Sequence, residues 1–266
     1  MAYIQMTFAA DTLKRWTEID VILPVEGAGG PADQKPERFP ALYLLHGFSG
    51  SSKDWLTYSN IRRYAEKHNI AVVMPSGENA FYVDNEELGL YHGAFIQELV
   101  EFTRKVFPLS KERKDTFIGG LSMGGFGALR NGMFYSDIFS KVISLSGAFI
   151  IEDIVGAEEG SRIGPESYGY YRRVFGELDH VAETDRNPIL CAEKAAERGN
   201  APKVLMACGT EDFLLENNRH VREALEAMGI DTAYFEGPGA HEWTFWDQWI
   251  AKGMDWLASE EGEEIR

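Results

Sequence analysis

The residues with the clearest potential for chemistry form the pentad G-L-S-M-G at 120–124, which matches the pattern G-x-S-x-G. The apolar run 116–119 precedes it, and apolar residues at helical spacing follow it from Phe126 to Met133. A strand, a sharp turn and a helix are the context in which this pattern presents a serine nucleophile at the carboxyl edge of a sheet. The following helix N-terminus favours negative charge that develops there. We therefore predict that Ser122 is a nucleophile; on the pentad alone, a helix-capping serine in a glycine-rich turn is the alternative.

A serine hydroxyl is a weak nucleophile unless a histidine accepts its proton and a carboxylate orients that histidine. After a nucleophile turn of this kind, the acid comes next in the chain and the histidine last. Asp212 follows the apolar run 203–207 and is the predicted acid, with Glu211 as its competitor and helix capping as its alternative role. His241 is the only one of the six histidines that lies late, after a predicted strand and in a Gly-rich loop. The sequence thus predicts a triad of Ser122, Asp212 and His241.

A second loop has the composition expected of an oxyanion hole. The segment L-L-H-G-F-S-G at 44–50 follows the third predicted strand, where the first donor of such a hole belongs. The predicted donors are the backbone N–H groups of Phe48 and of Met123, the residue after the nucleophile. An ordinary strand-ending turn, with His46 as a structural residue, is the alternative interpretation of this segment.

Three aromatic residues lie beside these loops in the sequence, namely Trp55, Phe213 and Trp243. We predict that they bind substrate as walls of a pocket, with core packing as the alternative for each.

Short apolar runs alternate with helical patterns along the chain, which predicts an α/β fold with helices on both faces of a sheet. Several runs are continuously apolar, as in L-Y-L-L at 42–45, which is typical of central parallel strands. The first two runs alternate and precede any helical pattern, so we expect them to form an antiparallel edge of a mostly parallel, eight-stranded sheet. The predicted strands are 3–8, 18–25, 41–45, 70–74, 116–119, 141–145, 203–207 and 231–235.

Three apolar stripes at helical spacing predict helices around 95–106, 221–228 and 246–257. We expect one domain over residues 1–266, because the region 148–200 is too short and too rich in Gly and Pro for a core of its own. That region is predicted to be a small cap-like insertion after strand 6. The segment 26–40 is expected to be an exposed loop, and the acidic segment 259–266 a frayed end.

The acidic composition of the chain argues against two classes of binding partner, nucleic acid and anionic membrane. The chain of 266 residues has 26 Lys and Arg against 42 Asp and Glu, a formal net charge of −16. This charge opposes binding to nucleic acid or anionic membrane, where affinity depends on cations that neutralise phosphates. The expected partner is a small molecule, with a homo-oligomer as an open alternative.

Other chemistries lack their sequence patterns. We find no G-x-G-x-x-G after a strand, no phosphate-binding G-x-x-x-x-G-K-[ST] and no H-E-x-x-H, so no cofactor and no metal are expected. The two cysteines, Cys191 and Cys208, form no C-x-x-C pair and are predicted to be buried and free. No apolar run fits a signal peptide or a membrane helix, so a cytoplasmic location is expected.

These segments resemble the α/β-hydrolase superfamily and, within it, the esterase D branch. The resemblance rests on L-H-G-F-S-G at 45–50 with Trp55 downstream, G-L-S-M-G-G-F-G-A at 120–128, C-G-T-E-D-F at 208–213 and G-A-H-E-W at 239–243. It runs from about residue 6 to 257 and is greatest toward the bacterial tributyrin esterases, which are related to S-formylglutathione hydrolases, feruloyl and acetylxylan esterases and mycolyltransferases. The resemblance implies the α/β-hydrolase fold and hydrolysis of short-chain acyl esters through an acyl-enzyme.

The expected activity is therefore that of a serine carboxylesterase on a small-molecule ester, with acetylated or feruloylated carbohydrate among its candidate substrates. For such an enzyme, the net charge of −16 favours neutral esters over anionic ones, and a crowded aromatic pocket favours acetyl to butyryl chains. One alternative is an S-formylglutathione hydrolase-type thioesterase. That group usually carries a cysteine shortly after the His-Gly pair, where this chain has F-S-G-S at 48–51. A second alternative is an acyltransferase that uses the same triad, and a third is a binding protein that kept only the fold.

Overall fold

Eight strands form the central sheet of a computed structural model that describes residues 1–25 and 37–259. The strands are β1 (Ala2–Ala10), β2 (Arg15–Leu23), β3 (Ala41–Leu45), β4 (Ala71–Pro75), β5 (Thr116–Leu121), β6 (Lys141–Leu145), β7 (Lys203–Gly209) and β8 (Thr232–Gly237). Their order across the sheet is β1-β2-β4-β3-β5-β6-β7-β8. The first two strands pair antiparallel with each other, and β2 pairs antiparallel with β4. The remaining neighbours are parallel, which confirms the predicted mostly parallel sheet with an antiparallel edge.

The strand ends differ from the predicted ones where pairing continues beyond the apolar run. The β1–β2 hairpin pairs Ala10 with Arg15, so β2 begins at residue 15 instead of 18 and ends at 23 instead of 25. Pairing of Leu121 with Leu145 carries β5 two residues past the predicted end at 119. This strand therefore runs directly into the predicted nucleophile, Ser122.

The described residues contain nine α-helices, most of which cover the two faces of this sheet. They are α1 (Asp54–Tyr58), α2 (Ile61–His68), α3 (Ala94–Val106), α4 (Met123–Phe134), α5 (Ile151–Ile154), α6 (Tyr168–Phe175), α7 (Pro188–Glu197), α8 (Leu215–Ala227) and α9 (Trp243–Ala258). The apolar sides of α1, α2 and α9 pack into one buried cluster, and those of α3, α4, α7 and α8 into another. The three predicted apolar stripes thus correspond to α3, α8 and α9. Cys191 and Cys208 are buried and free, as predicted.

The region 148–200 contains two kinds of structure. Its first part holds α5, a short antiparallel pair (Arg162–Ile163 with Glu166–Ser167) and α6. Its last part holds a 3₁₀ turn (Val181–Glu183) and α7, which packs against α4 in the layer that covers the sheet. Another short strand pair, Asp84–Asn85 with Leu90–Tyr91, lies between β4 and α3 together with a 3₁₀ turn (Glu86–Leu88), and a third 3₁₀ turn (Arg113–Asp115) precedes β5.

Two predicted loop segments lie mostly outside the described residues, namely 26–40 and 259–266. Within the first of them, Phe39 is buried and forms an isolated bridge with Leu109, so the exposed-loop prediction is wrong at this residue. Among the helices of the described residues, none is both long and apolar enough to cross a lipid bilayer.

Candidate active site

The predicted nucleophile lies in a strained turn between β5 and α4. Ser122 has φ 53° and ψ −120°, a backbone conformation that side-chain-bearing residues rarely adopt. A Cβ at Gly120 would lie 2.3 Å from the carbonyl oxygen of Gly124, and a Cβ at Gly124 would lie 2.6 Å from that of His46. Only glycine fits at these two positions, which explains the spacing of G-x-S-x-G. The turn places the serine side chain in a cleft at the carboxyl edge of the sheet.

The structure brings Ser122, His241 and Asp212 together, although they lie far apart in the chain. The hydroxyl oxygen of Ser122 is 3.0 Å from Nε2 of His241, and Nδ1 of the same ring is 2.9 Å from Oδ2 of Asp212. These distances are those of hydrogen bonds between a nucleophile, a base and the acid that orients the base. Ser122 follows β5, Asp212 follows β7 and His241 follows β8, and parallel strands bring their carboxyl ends to one edge of the sheet.

Asp212 is held in the form that can orient the histidine. Burial alone would raise its pKa, but hydrogen bonds from His241, from the backbone N–H of Leu214 and from Ser146 outweigh burial and hold the pKa below its ordinary value. The carboxylate therefore stays ionised at neutral pH and can stabilise a positively charged imidazole.

Glu211, the competing candidate for the acid, hydrogen-bonds to the main chain and not to His241. Its carboxylate accepts a hydrogen bond of 2.6 Å from the backbone N–H of Gly239. That bond holds the loop that carries His241, so Glu211 supports the base indirectly, whereas Asp212 contacts it.

The loop after β3 has an internal relay that orients one peptide group. The backbone N–H of Gly77 donates to Nε2 of His46 at 2.9 Å, so the hydrogen of this ring lies on Nδ1. Nδ1 is 2.7 Å from the carbonyl oxygen of Gly47 and donates to it. Because the Gly47–Phe48 peptide is trans, fixing its carbonyl also fixes the opposite direction of the Phe48 N–H. Burial lowers the pKa of His46, which keeps the ring in the neutral form that this relay requires.

The two predicted oxyanion donors lie beside the serine. A Cβ at Gly47 would be 3.4 Å from Cβ of Ser122, so the loop that carries Phe48 packs directly against the nucleophile. Within the described residues, the N–H groups of Phe48 and Met123 donate no hydrogen bond to the protein. Met123 is the first residue of α4, where backbone N–H groups have no partner in the helix. Both groups are therefore available to an oxygen atom bound next to Ser122.

The cleft over Ser122 has a volume of about 570 Å³, and several aromatic side chains line it. Phe213 and Trp243 line it, as predicted from their positions in the sequence. Phe213 is 74% exposed, and its ring lies 4.7 Å from the ring of His241. It therefore forms part of the cleft mouth on the side of the base.

Trp55 does not reach the cleft, which corrects its predicted contact with substrate. Its side chain is fully buried, and its Nε1 donates to the carbonyl oxygen of Leu45 at 3.0 Å. Its ring packs edge-on against Trp243 at 5.2 Å between ring centres. Trp55 belongs to the buried cluster between α1, α9 and the sheet, and there it packs against Trp243 and supports it.

Sequence reasoning missed the part of the cleft wall that comes from the region 148–200 and from the segment after β4. Tyr170 and Tyr171 of α6, together with Phe81, line the cleft. The pattern Y-G-Y-Y-R-R-V-F at 168–175 is amphipathic and indicates a helix, but it contains no signal for the side of the sheet on which the helix lies. Asn79 lies beside this wall and hydrogen-bonds to the oxyanion loop, and no motif marks it either.

Comparison with known proteins agrees with this geometry. The family model described as "Putative esterase" matches residues 11–257 of the chain. An acetyl esterase of Caldicellulosiruptor saccharolyticus is 44% identical over 262 residues, which cover 97% of this chain and 98% of the relative.

Two solved structures from Staphylococcus aureus have the same architecture over nearly their whole length. The fluorophosphonate-binding serine hydrolase FphF has a TM-score of 0.84 at 30% identity, with 97% of this chain and 99% of that chain covered. An S-formylglutathione hydrolase, FrmB, has a TM-score of 0.81 at 29% identity with the same coverage. The α/β-hydrolase fold and the esterase resemblance predicted from the sequence are thus confirmed, and the chain belongs to this esterase family as a carboxylic ester hydrolase.

Proposed function

We propose that this protein is a serine esterase that hydrolyses short-chain acyl esters, from acetyl to butyryl, through a covalent acyl-enzyme. The observation that carries the proposal is the continuous chain of hydrogen bonds from Ser122 through His241 to Asp212. The N–H groups of Phe48 and Met123, which donate no hydrogen bond to any described residue, supply the oxyanion hole that such a reaction requires.

Acylation begins when the Ser122 oxygen attacks the ester carbonyl carbon and Nε2 of His241 accepts the hydroxyl proton. The N–H groups of Phe48 and Met123 donate to the carbonyl oxygen as it becomes an oxyanion. The tetrahedral intermediate then breaks its bond to the alcohol, which leaves with the proton from His241. Asp212 keeps the imidazole in the required orientation and stabilises its charge throughout.

Deacylation repeats the sequence with water as the nucleophile. His241 takes a proton from water, the resulting hydroxyl attacks the acyl carbon, and the same two N–H groups hold the second oxyanion. Collapse of this intermediate returns the proton to Ser122 and releases the acid.

The charge of the cleft supports a neutral alcohol such as a carbohydrate. Within the described residues, the charged side chains that line the cleft are the carboxylates of Asp54, Glu166 and Glu242, apart from the titratable ring of His241. These groups repel an anionic substrate, while exposed aromatic rings such as Phe213 suit the apolar faces of sugar rings. The acetyl esterase relative is consistent with an acetylated substrate.

S-formylglutathione hydrolysis is the second candidate, because FrmB has the same fold at 29% identity. Glutathione has a net negative charge, which the three carboxylates of the cleft disfavour. A serine follows Phe48 in the oxyanion loop, near the position where that group usually has a cysteine.

A panel of substrates compared as kcat/KM tests this proposal, because that ratio measures discrimination. The panel contains p-nitrophenyl esters of increasing chain length, S-formylglutathione, methyl ferulate and acetylated xylo-oligosaccharides. We expect the highest values for acetyl to butyryl esters and a preference for the acetylated sugar over S-formylglutathione. A higher kcat/KM on laurate than on acetate, or on S-formylglutathione than on the acetylated sugar, would contradict the assigned substrate class.

A further inference from the structure

The loop of residues 76–83, between β4 and the first short strand pair, has an unusually strained backbone. Glu78, Phe81 and Tyr82 have φ angles of 55°, 51° and 55°, in the left-handed region that non-glycine residues seldom adopt. Such conformations persist only where the surroundings enforce them, and they concentrate at functional sites. The contacts of this loop therefore indicate what its shape serves.

The 76–83 loop packs between two segments, namely the loop that carries Phe48 and helix α4, which begins with Met123. The side-chain oxygen Oδ1 of Asn79 accepts a hydrogen bond of 2.7 Å from the backbone N–H of Ser49, and the hydroxyl of Tyr82 donates to the carbonyl oxygen of His46 at 3.1 Å. On its other side, Tyr82 packs so closely on α4 that a Cβ at Gly127 would lie 2.5 Å from its ring. The loop thus contacts both the segment that carries Phe48 and the helix that begins with Met123.

The hydrogen bond to Ser49 fixes the peptide group next to the oxyanion donor. Ser49 itself has φ 62°, another strained value. The relay through His46 orients the Gly47–Phe48 peptide, and Asn79 orients the following Phe48–Ser49 peptide. Without the acceptor on Asn79, a flip of the second peptide would relieve the strain at Ser49 and release Phe48 from its position.

The main chain of Asn79 connects the oxyanion loop to the cleft wall. Its carbonyl oxygen accepts a hydrogen bond of 2.9 Å from the hydroxyl of Tyr170, whose ring packs edge-on against Phe48 at 5.6 Å between ring centres. Burial raises the pKa of Tyr170, so its hydroxyl remains protonated and can donate. One residue therefore joins the oxyanion loop to α6.

The geometry points to Asn79 as a positioning residue of the reaction, which holds the Phe48 N–H in place for the oxyanion through its bond to Ser49. This inference rests on the proposed function, since it assigns a role in the oxyanion hole of that mechanism. It predicts an effect on the transition state and little effect on substrate binding.

The test compares Asn79→Leu, which has nearly the same shape without the acceptor, with Asn79→Asp, which keeps an acceptor oxygen. With p-nitrophenyl acetate, we expect Asn79→Leu to lower kcat about 30-fold with KM within about twofold, because acylation and deacylation both use the oxyanion hole. Asn79→Asp is expected to recover most of the lost kcat. A trifluoromethyl ketone, which forms a tetrahedral oxyanion with the serine, should lose affinity for the leucine variant in the same proportion as kcat/KM.

A leucine variant with wild-type kcat, an aspartate variant no better than leucine, or ketone affinity that does not follow kcat/KM would each overturn the inference. Asn79→Ala gives the same readouts if the leucine variant does not fold. Failure of the proposed function is distinguishable, because then the wild-type protein itself would show no hydrolysis dependent on Ser122.

Discussion

The two sides of the active-site cleft are built in different ways. On the catalytic side, Ser122, Asp212 and His241 each follow a strand of the central sheet, so ladder hydrogen bonds and a buried core fix their positions. On the other side, the wall of Phe81, Tyr170 and Tyr171 comes from the strained 76–83 loop and helix α6, which lie outside the sheet. The sheet therefore fixes the triad, whereas these two segments shape the opposite wall of the cleft and, through Asn79, hold the oxyanion loop.

Replacing the acid of the triad should disable the catalytic side of the cleft without changing its shape. We expect Asp212→Asn to lower kcat on p-nitrophenyl acetate about 10⁴-fold, because the amide favours the wrong tautomer of His241 while keeping the shape of the site. Steady-state kinetics measure this effect. The matched control is Glu211→Gln, next in sequence, which leaves the bond between His241 and Asp212 in place and should cost less than roughly tenfold. Equal losses in the two variants would show that Asp212 is not the acid of the triad.

Changing the aromatic mouth of the cleft, which Phe213 forms beside His241, should have a smaller effect of a different kind. Phe213→Ala removes an exposed ring at the cleft mouth, and a lost aromatic contact of about 1 kcal/mol corresponds to about a fivefold higher KM for an acetylated xylo-oligosaccharide. The kcat on p-nitrophenyl acetate should stay within about twofold. Trp16→Ala is the control, because Trp16 is a similarly exposed aromatic residue, at 70%, that does not line the cleft. A loss of kcat in Phe213→Ala without a change in KM would mean that the ring acts on His241 and not on the sugar.

The difference between the two sides of the cleft also explains which features can be predicted from the sequence. The triad and the sheet are predictable because continuous apolar runs mark parallel strands. Ser122 follows its strand directly, and Asp212 and His241 follow theirs within a few residues. The pentad around Ser122 is also recognisable in the sequence because the turn requires glycine: its glycines lie where a Cβ would collide with the main chain.

The wall formed by the 76–83 loop and α6 is less predictable because its contacts join residues that are far apart in the sequence. The hydrogen bond between Asn79 and Ser49 spans thirty positions, and the positive φ angles at Phe81 and Tyr82 lie at bulky residues that no propensity rule associates with such a turn. Trp55 shows the converse case. It lies close to the oxyanion loop in sequence, yet the orientation of α1 turns it into the core.

The most direct test of the central claim is the turnover of p-nitrophenyl acetate by Ser122→Ala, measured beside the wild-type protein with matched thermal unfolding midpoints. Loss of the serine oxygen removes the acyl-enzyme route, so we predict that kcat falls on the order of 10⁶-fold, to the background left by the oxyanion hole and binding. A variant that keeps near wild-type turnover would contradict the account, because hydrolysis would then proceed without Ser122 as the nucleophile.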